Sequence, residues 1–159
     1  MLDAEPVSPR LWQGSLPKAG HPLPFDVVVL CAAESQFDPR VYGHRPFGVR
    51  ARVLRCPLTD GGLPLSRQGV SRAFSAAVQV AKAYAEGQKI LTTCQMGWNR
   101  SGIVNALALM ELGIDVTTTI EIIRRARPKA LSNPHFVRLL YEAAGRALVR
   151  IPISREMRS

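Results

Sequence analysis

Between Lys89 and Gly113 the sequence is apolar, then polar and glycine-containing, then apolar again. Lys89-Ile90-Leu91-Thr92-Thr93 leads into Cys94-Gln95-Met96-Gly97-Trp98-Asn99-Arg100-Ser101-Gly102, and Ile103 to Met110 follow. The pattern predicts a buried strand, a tight loop and a buried helix that Gly113 stops. No other stretch of the chain restricts the fold as strongly.

A Cys and an Arg six positions apart can share one anion if the backbone between them curls and turns its N–H groups inward. The helix that starts near Ser101 adds the positive end of its dipole and its orphan N–H groups. A thiol under that potential favours its thiolate, which is the nucleophilic form. Arg100 supplies a planar fork able to hold two oxygens of one phosphate, which a Lys cannot do. Such spacing also arises by chance, so the context must carry the reading. Cys31 and Cys56 lack it, with Phe37 and Gly62 six positions after them. The alternative for Cys94 is an inert buried thiol at a strand end. Gly97 in the loop, the hydroxyl after the Arg, and the flanking strand and helix favour the catalytic reading.

The rest of the chain reads as alternating strands and helices. Residues 1–9 carry no periodicity and are expected as a flexible lead-in, with Leu11 to Gln13 a short edge strand. Asp26 to Leu30 is Val-rich and continuous, as in a strand buried on both faces, and it ends at Cys31. After a Pro- and Gly-rich loop, Val49 to Cys56 alternates Arg with apolar residues, as a strand nearer an edge. Ser66 can cap a long helix in which Val70, Phe74, Val78, Ala81 and Tyr84 or Ala85 recur until Gly87. Asp115 can cap a helix over 116–125, which must end by Pro128. Asn133-Pro134 opens a last helix with Phe136, Leu140, Ala143, Ala144 and Leu148 inward. The expected fold is α/β: a single domain over 10–149, with a mostly parallel sheet of about four or five strands and helices on both faces. Residues 150–159 form a basic tail. The active loop then lies at the carboxyl end of a strand.

At 159 residues the chain can bury a core without staples. Three Cys are too few for a disulfide framework, and no Cys/His cluster has metal-ligand spacing, so neither metal nor cofactor is expected. His21, His44 and His135 are scattered and receive no chemical role. With no signal-like start and no apolar run of spanning length, a cytoplasmic location away from membranes is the expectation. The net charge of +9 favours anionic partners, although the basic residues are spread out. Arg124, Arg125 and Arg127 are the one dense group, read mainly as a solvated helix end.

Cys94-Gln95-Met96-Gly97-Trp98-Asn99-Arg100-Ser101 resembles the signature loop of the cysteine-dependent protein tyrosine and dual-specificity phosphatases. The likeness extends from Leu11-Trp12-Gln13-Gly14-Ser15 to the Arg127-Pro128 and 133–140 segments. One departure is Thr93, where many members carry a His that helps order the loop. The resemblance implies a phosphatase in which residues 95–100 bind phosphate, Cys94 attacks and Ser101 donates to the departing sulfur. Ser101 can also cap the helix. Asp60, in Pro57-Leu58-Thr59-Asp60-Gly61-Gly62, matches the loop that carries the family's general acid; as an alternative Asp-Gly-Gly is a plain turn, and Asp38 and Glu34 stand in reserve. Cys31 ends a strand expected beside the central one and, as in some members, could form a protective disulfide with Cys94; a core thiol is its other reading. Phosphoprotein is the implied substrate, by way of a cysteinyl-phosphate. Gly97-Trp98-Asn99-Arg100 also resembles the RNA 5′-triphosphatase branch, and a phosphate-binding module without turnover is a further alternative. Substrate and oligomeric state are not legible in the sequence.

Overall fold

The computed structural model describes residues 2–18, 22–38 and 46–150, the last four as backbone only. His21, His44, residues 151–159 of the tail expected over 150–159, and the inward side of Leu148 lie outside the described residues.

Five strands, β1 (Ala4–Ser8), β2 (Leu11–Ser15), β3 (Val27–Ala32), β4 (Arg52–Leu58) and β5 (Ile90–Cys94), form one sheet in the order β1-β2-β5-β3-β4. Among the described residues only the β1–β2 pairing is antiparallel; the β2–β5, β5–β3 and β3–β4 pairings are parallel. Every residue of β3 and β5 is buried, as an interior parallel strand requires; the unbroken apolar run of β3 encodes this, whereas β5 also buries Thr92 and Thr93. All four parallel strands therefore present Ser15, Ala32, Leu58 and Cys94 at one edge of the sheet.

Residues 4–8, expected to precede the domain without structure, instead form β1, which moves β2 from the edge to an interior position. The signal was hidden because Pro6 interrupts the stretch, and an edge strand tolerates a Pro that an interior strand does not.

Helices α1 (Arg67–Ala85), α2 (Arg100–Glu111), α3 (Val116–Ala126) and α4 (Pro134–Arg150) complete the fold. Ser66 caps α1 by accepting from the Gly69 N–H at 3.0 Å, and Asp115 caps α3 by accepting from Thr118; such caps stabilise by about 1 kcal/mol each. The inward face of α1 is Gly69, Ala73, Ala76, Ala77, Val80, Ala81 and Ala83, whereas Val78 is half exposed. The expected stripe through Val70, Phe74 and Val78 is thus rotated, because small residues let this helix approach α2 and the sheet closely. In α4, Phe136, Leu140 and Ala143 face inward as expected.

The main core lies between the helices and the sheet face carrying Val27, Val29, Cys31, Ile90 and Cys94. On the opposite face, Val28, Leu30 and Leu91 pack against Phe25, Phe47 and Ala51 from the connecting segments. Helices were expected on both faces; among the described residues all four pack on the first, and residues 39–45 fall outside the description.

Candidate active site

Strand β5 delivers Cys94 to the sheet edge and α2 begins six residues later, so the chain between them must turn within a few ångströms. Gly97 makes the turn with a φ of +72°, and a Cβ there would come within 2.5 Å of the Gly14 carbonyl carbon. Both conditions demand glycine. Three successive carbonyls of the loop accept hydrogen bonds from outside it. Met96 accepts from the Arg127 guanidinium at 2.7 Å, Gly97 from the Gln13 amide at 3.0 Å, and Trp98 from the Leu131 N–H at 3.1 Å. Leu131 adopts a φ of +56° to present that N–H, a costly backbone conformation for a Leu.

Cys94 is 4% exposed, with its Sγ 3.3 Å from the Ser101 Oγ. Ser101 was expected both to cap α2 and to face the sulfur. It lies inside the first turn, where Asn99 occupies the cap position, and its hydroxyl is directed at Cys94.

The Arg100 guanidinium is 8% exposed residue-wide and grips Glu34 at both ends, Nη1 to Oε2 at 2.5 Å and Nη2 to Oε1 at 2.7 Å, while Nη1 also donates to the Leu58 carbonyl at 3.2 Å. Burial opposes the Arg100 charge, but the Glu34 hydrogen bonds and the nearby charges of Cys94 and Asp60 outweigh it and raise its pKa. The Arg100 hydrogen bonds in turn hold the Glu34 carboxyl below its ordinary 4.5. Glu34, a reserve candidate for the acid, is by position the residue that fixes the fork. A group with a depressed pKa stabilises the fold above its unfolded pKa and loses that contribution as pH falls through the folded value. Glu34→Gln is therefore expected to lower the melting temperature at neutral pH, and the difference from the unmodified protein should vanish as the pH falls below 4.5. Melting curves across that range check it; an unchanged difference at acid pH contradicts it.

Asp60 is docked onto the signature loop. Its carboxylate accepts from Asn99 Nδ2 at 2.9 Å, from Asn133 Nδ2 at 2.8 Å and from the Gly62 N–H at 3.2 Å. Asn133 also donates to the Leu63 carbonyl, while Asn99 Oδ1 accepts from the Asn133 N–H at 3.0 Å. Two asparagines thus lock the Asp60 loop against the loop that carries Cys94. The turn itself needs Gly61 and Gly62, both at positive φ.

Gln95 and Met96 are exposed, Met96 half so, and Trp98 is partly buried with the Lys129 ammonium 5.1 Å from its ring centre. Cys31 is fully buried and shares a side-chain hydrogen bond with Cys56; burial pushes its thiol well above the usual range. The β3–β5 register pairs Leu30 with Thr93, and carried one residue further it sets Cys31 beside Cys94. All three cysteines are free.

Several residues were given no role by sequence reasoning or the wrong one. Asn133 was read only as a helix cap; its Oδ1 does accept from the His135 N–H, but its amide also holds the Asp60 carboxyl. The Arg cluster is not simply a solvated helix end: Arg124 donates to the Ala130 and Leu131 carbonyls, and Arg127, 9% exposed, joins Asp3 to the signature loop. Gln13 carried one faint signal, an amide inside an otherwise apolar strand.

The site thus sets a Cys and a clamped Arg on one curled loop at the carboxyl edge of the parallel strands, with the Asp60 carboxyl docked onto that loop. The family described as dual specificity phosphatase, catalytic domain, matches residues 14–146, and the chain belongs to that family. Solved structures share the fold. A structure titled Tk-PTP in the active form is 23% identical with a TM-score of 0.68, covering 91% of this chain and 97% of its own. Human DUSP28 is 21% identical with a TM-score of 0.70, covering 91% and 95%. PTPMT1 in complex with PI(5)P is 17% identical with a TM-score of 0.72, covering 92% and 97%. No curated protein sequence matches the chain. Among the described residues no helix is long and apolar enough to cross a membrane.

Proposed function

We propose that this protein hydrolyses phosphomonoesters through a cysteinyl-phosphate, with tyrosine- and serine/threonine-phosphorylated proteins as its substrates. The observation that carries this reading is the single loop on which the Cys94 sulfur meets the Ser101 hydroxyl, Arg100 is clamped and Asp60 is docked. The Cys94 thiolate attacks phosphorus in line, forming the S–P bond as the P–O bond breaks, while loop amides and Arg100 hold the equatorial oxygens. Asp60 gives its proton to the leaving oxygen. In the second step Asp60 takes a proton from water, whose oxygen bonds to phosphorus as the S–P bond breaks, and Ser101 donates to the departing sulfur. Thiolate and guanidinium supply the charge this chemistry needs, so the reading includes neither metal nor cofactor. It does require a reducing compartment such as the cytoplasm.

A second reading is removal of the terminal phosphate from triphosphate-ended RNA, favoured by Trp98 with Lys129 at the rim and by the net charge of +9. A panel of phosphotyrosine and phosphothreonine peptides, triphosphate RNA and phosphoinositide decides between them. Phosphate release from the peptides is expected; release from the RNA alone moves the assignment to RNA. Tight peptide binding without release makes the protein a phosphate-binding module.

The same reading gives Cys31 a redox role. Peroxide converts a thiolate to a sulfenic acid, which condenses with a second thiol to a disulfide and releases water. Peptide mapping after peroxide treatment is expected to find a Cys31–Cys94 crosslink. Overoxidised Cys94, or a Cys31–Cys56 bridge with Cys94 unprotected, rejects this role.

A further inference from the structure

The carbonyl and the N–H of a trans peptide point in opposite directions. Drawing the Met96, Gly97 and Trp98 carbonyls outward therefore turns the N–H groups of Gly97, Trp98 and Asn99 the other way, towards the hollow of the loop. Of the three donors that do this, Gln13 supplies the uncharged side chain, and it is fully buried; the others are the Arg127 guanidinium and the Leu131 backbone N–H. Its amide can serve only in one orientation. Nε2 must face the Gly97 carbonyl at 3.0 Å, which leaves Oε1 to accept from Asn105 Nδ2 at 3.2 Å. Asn105 in turn is fixed because the same Nδ2 donates to the Trp12 carbonyl at 3.3 Å. The result is a directed chain with a backbone carbonyl at each end, running from β2 through α2 to the loop.

Fold stability does not explain the pair. Gln13 and Asn105 are fully buried, and Asn105 Oδ1 has no hydrogen-bond partner among the described residues, so the core carries an uncompensated polar atom. Apolar residues of the same shape would fill the space without that cost. Asn105 also lies one turn after Ser101, so both project from one face of α2, Ser101 to Cys94 and Asn105 to β2.

We propose that Gln13 is a positioning residue which, oriented by Asn105, fixes the Gly97–Trp98 peptide so that the Trp98 N–H faces the bound oxyanion. Without it the peptide is free to turn and present a carbonyl to the phosphate. The proposal rests on the anion-loop reading of residues 94–100 and names the part of the chain that sets the loop's polarity.

The test uses two variants, each made with and without Cys94→Ser. Gln13→Met keeps the shape and removes the donor. Gln13→Met with Asn105→Leu also removes the amide that the single change would orphan, and replacing both partners by apolar groups restores much of the lost stability. Inorganic phosphate binding to the Cys94→Ser proteins, measured by calorimetry, is expected to weaken about ten- to a hundredfold in both variants, the worth of one hydrogen bond to a charged group. In the Cys94 proteins kcat should fall about 10²-fold or more, as for loss of one oxyanion donor. The double variant should melt closer to the unmodified protein while its phosphate affinity stays low, a separation that a purely structural role cannot produce. Phosphate affinity that is unchanged in Gln13→Met, or that recovers with stability in the double variant, overturns the proposal. If the unmodified protein binds phosphate but turns nothing over, the catalytic reading fails while the binding comparison still decides the role of Gln13.

Discussion

Cys94→Ser protein is expected to release no p-nitrophenol from p-nitrophenyl phosphate above the buffer background, while keeping its fold and its affinity for inorganic phosphate. The hydroxyl of Ser occupies the place of the thiol but is not ionised there, so the attack on phosphorus is lost. Loss of a nucleophile that acts as one unit with its partners costs on the order of 10⁴-fold or more. The fold should survive because the loop is held from outside, by Arg127, Gln13 and Leu131 on three successive carbonyls, and because a Ser hydroxyl can keep the one hydrogen bond to Ser101. Steady-state kinetics and a melting curve check it together. Residual turnover within tenfold of the unmodified protein places the nucleophile elsewhere.

Asp60→Ala is expected to slow hydrolysis of a phosphotyrosine peptide about 10²- to 10⁴-fold, the usual contribution of a positioned general acid. The carboxyl is docked at Asn99 and Asn133 against the loop that carries Cys94, and its charge acts on Arg100. The loss should be smaller with p-nitrophenyl phosphate in the first chemical step, because p-nitrophenolate leaves without much help from a proton. Asn133→Ala, which removes the Nδ2 donors to Asp60 and to the Leu63 carbonyl, should show the same dependence on leaving group with a smaller amplitude. Equal losses for both substrates in the first chemical step of the Asp60 variant would mean that the residue holds the loop and does not move the proton.

The parts of this arrangement that sequence exposes are those fixed by local chemistry. Val27 to Leu30 and Ile90 to Thr92 read as buried strands because nothing polar enough to face water interrupts them. Cys94, Gly97, Arg100 and Ser101 stand out because a thiol, a turn glycine, a planar fork and a hydroxyl fall within eight residues. Ser66 and Asp115 announce their helices because a cap is a contact between residues three apart. Long-range partners leave no such trace. Glu34 meets Arg100 across 66 positions, Asn133 meets Asp60 across 73, and Gln13 meets Gly97 across 84. Each looks ordinary in its own neighbourhood: an acid after a strand, a helix cap, an amide in an apolar run. The inward face of α1 was misjudged for a related reason, since Ala is neutral in a hydrophobic pattern, and only the packed neighbour shows that smallness is what the face requires. β1 escaped because Pro6 hides a strand whose edge position makes that Pro tolerable.

Trapping the covalent intermediate tests the central claim most directly. Asp60→Ala protein, mixed with p-nitrophenyl phosphate and quenched in acid, should still form the intermediate, since the leaving group needs little proton help. It should hydrolyse the intermediate slowly, because the base for water is gone. Mass spectrometry of the digested protein is expected to find one phosphoryl group on the peptide containing Cys94, at an occupancy that decays on a chase without substrate. Phosphate release from the substrate with no phosphoryl group on Cys94 at any time, or a phosphoryl group that persists in protein lacking Cys94, contradicts the account.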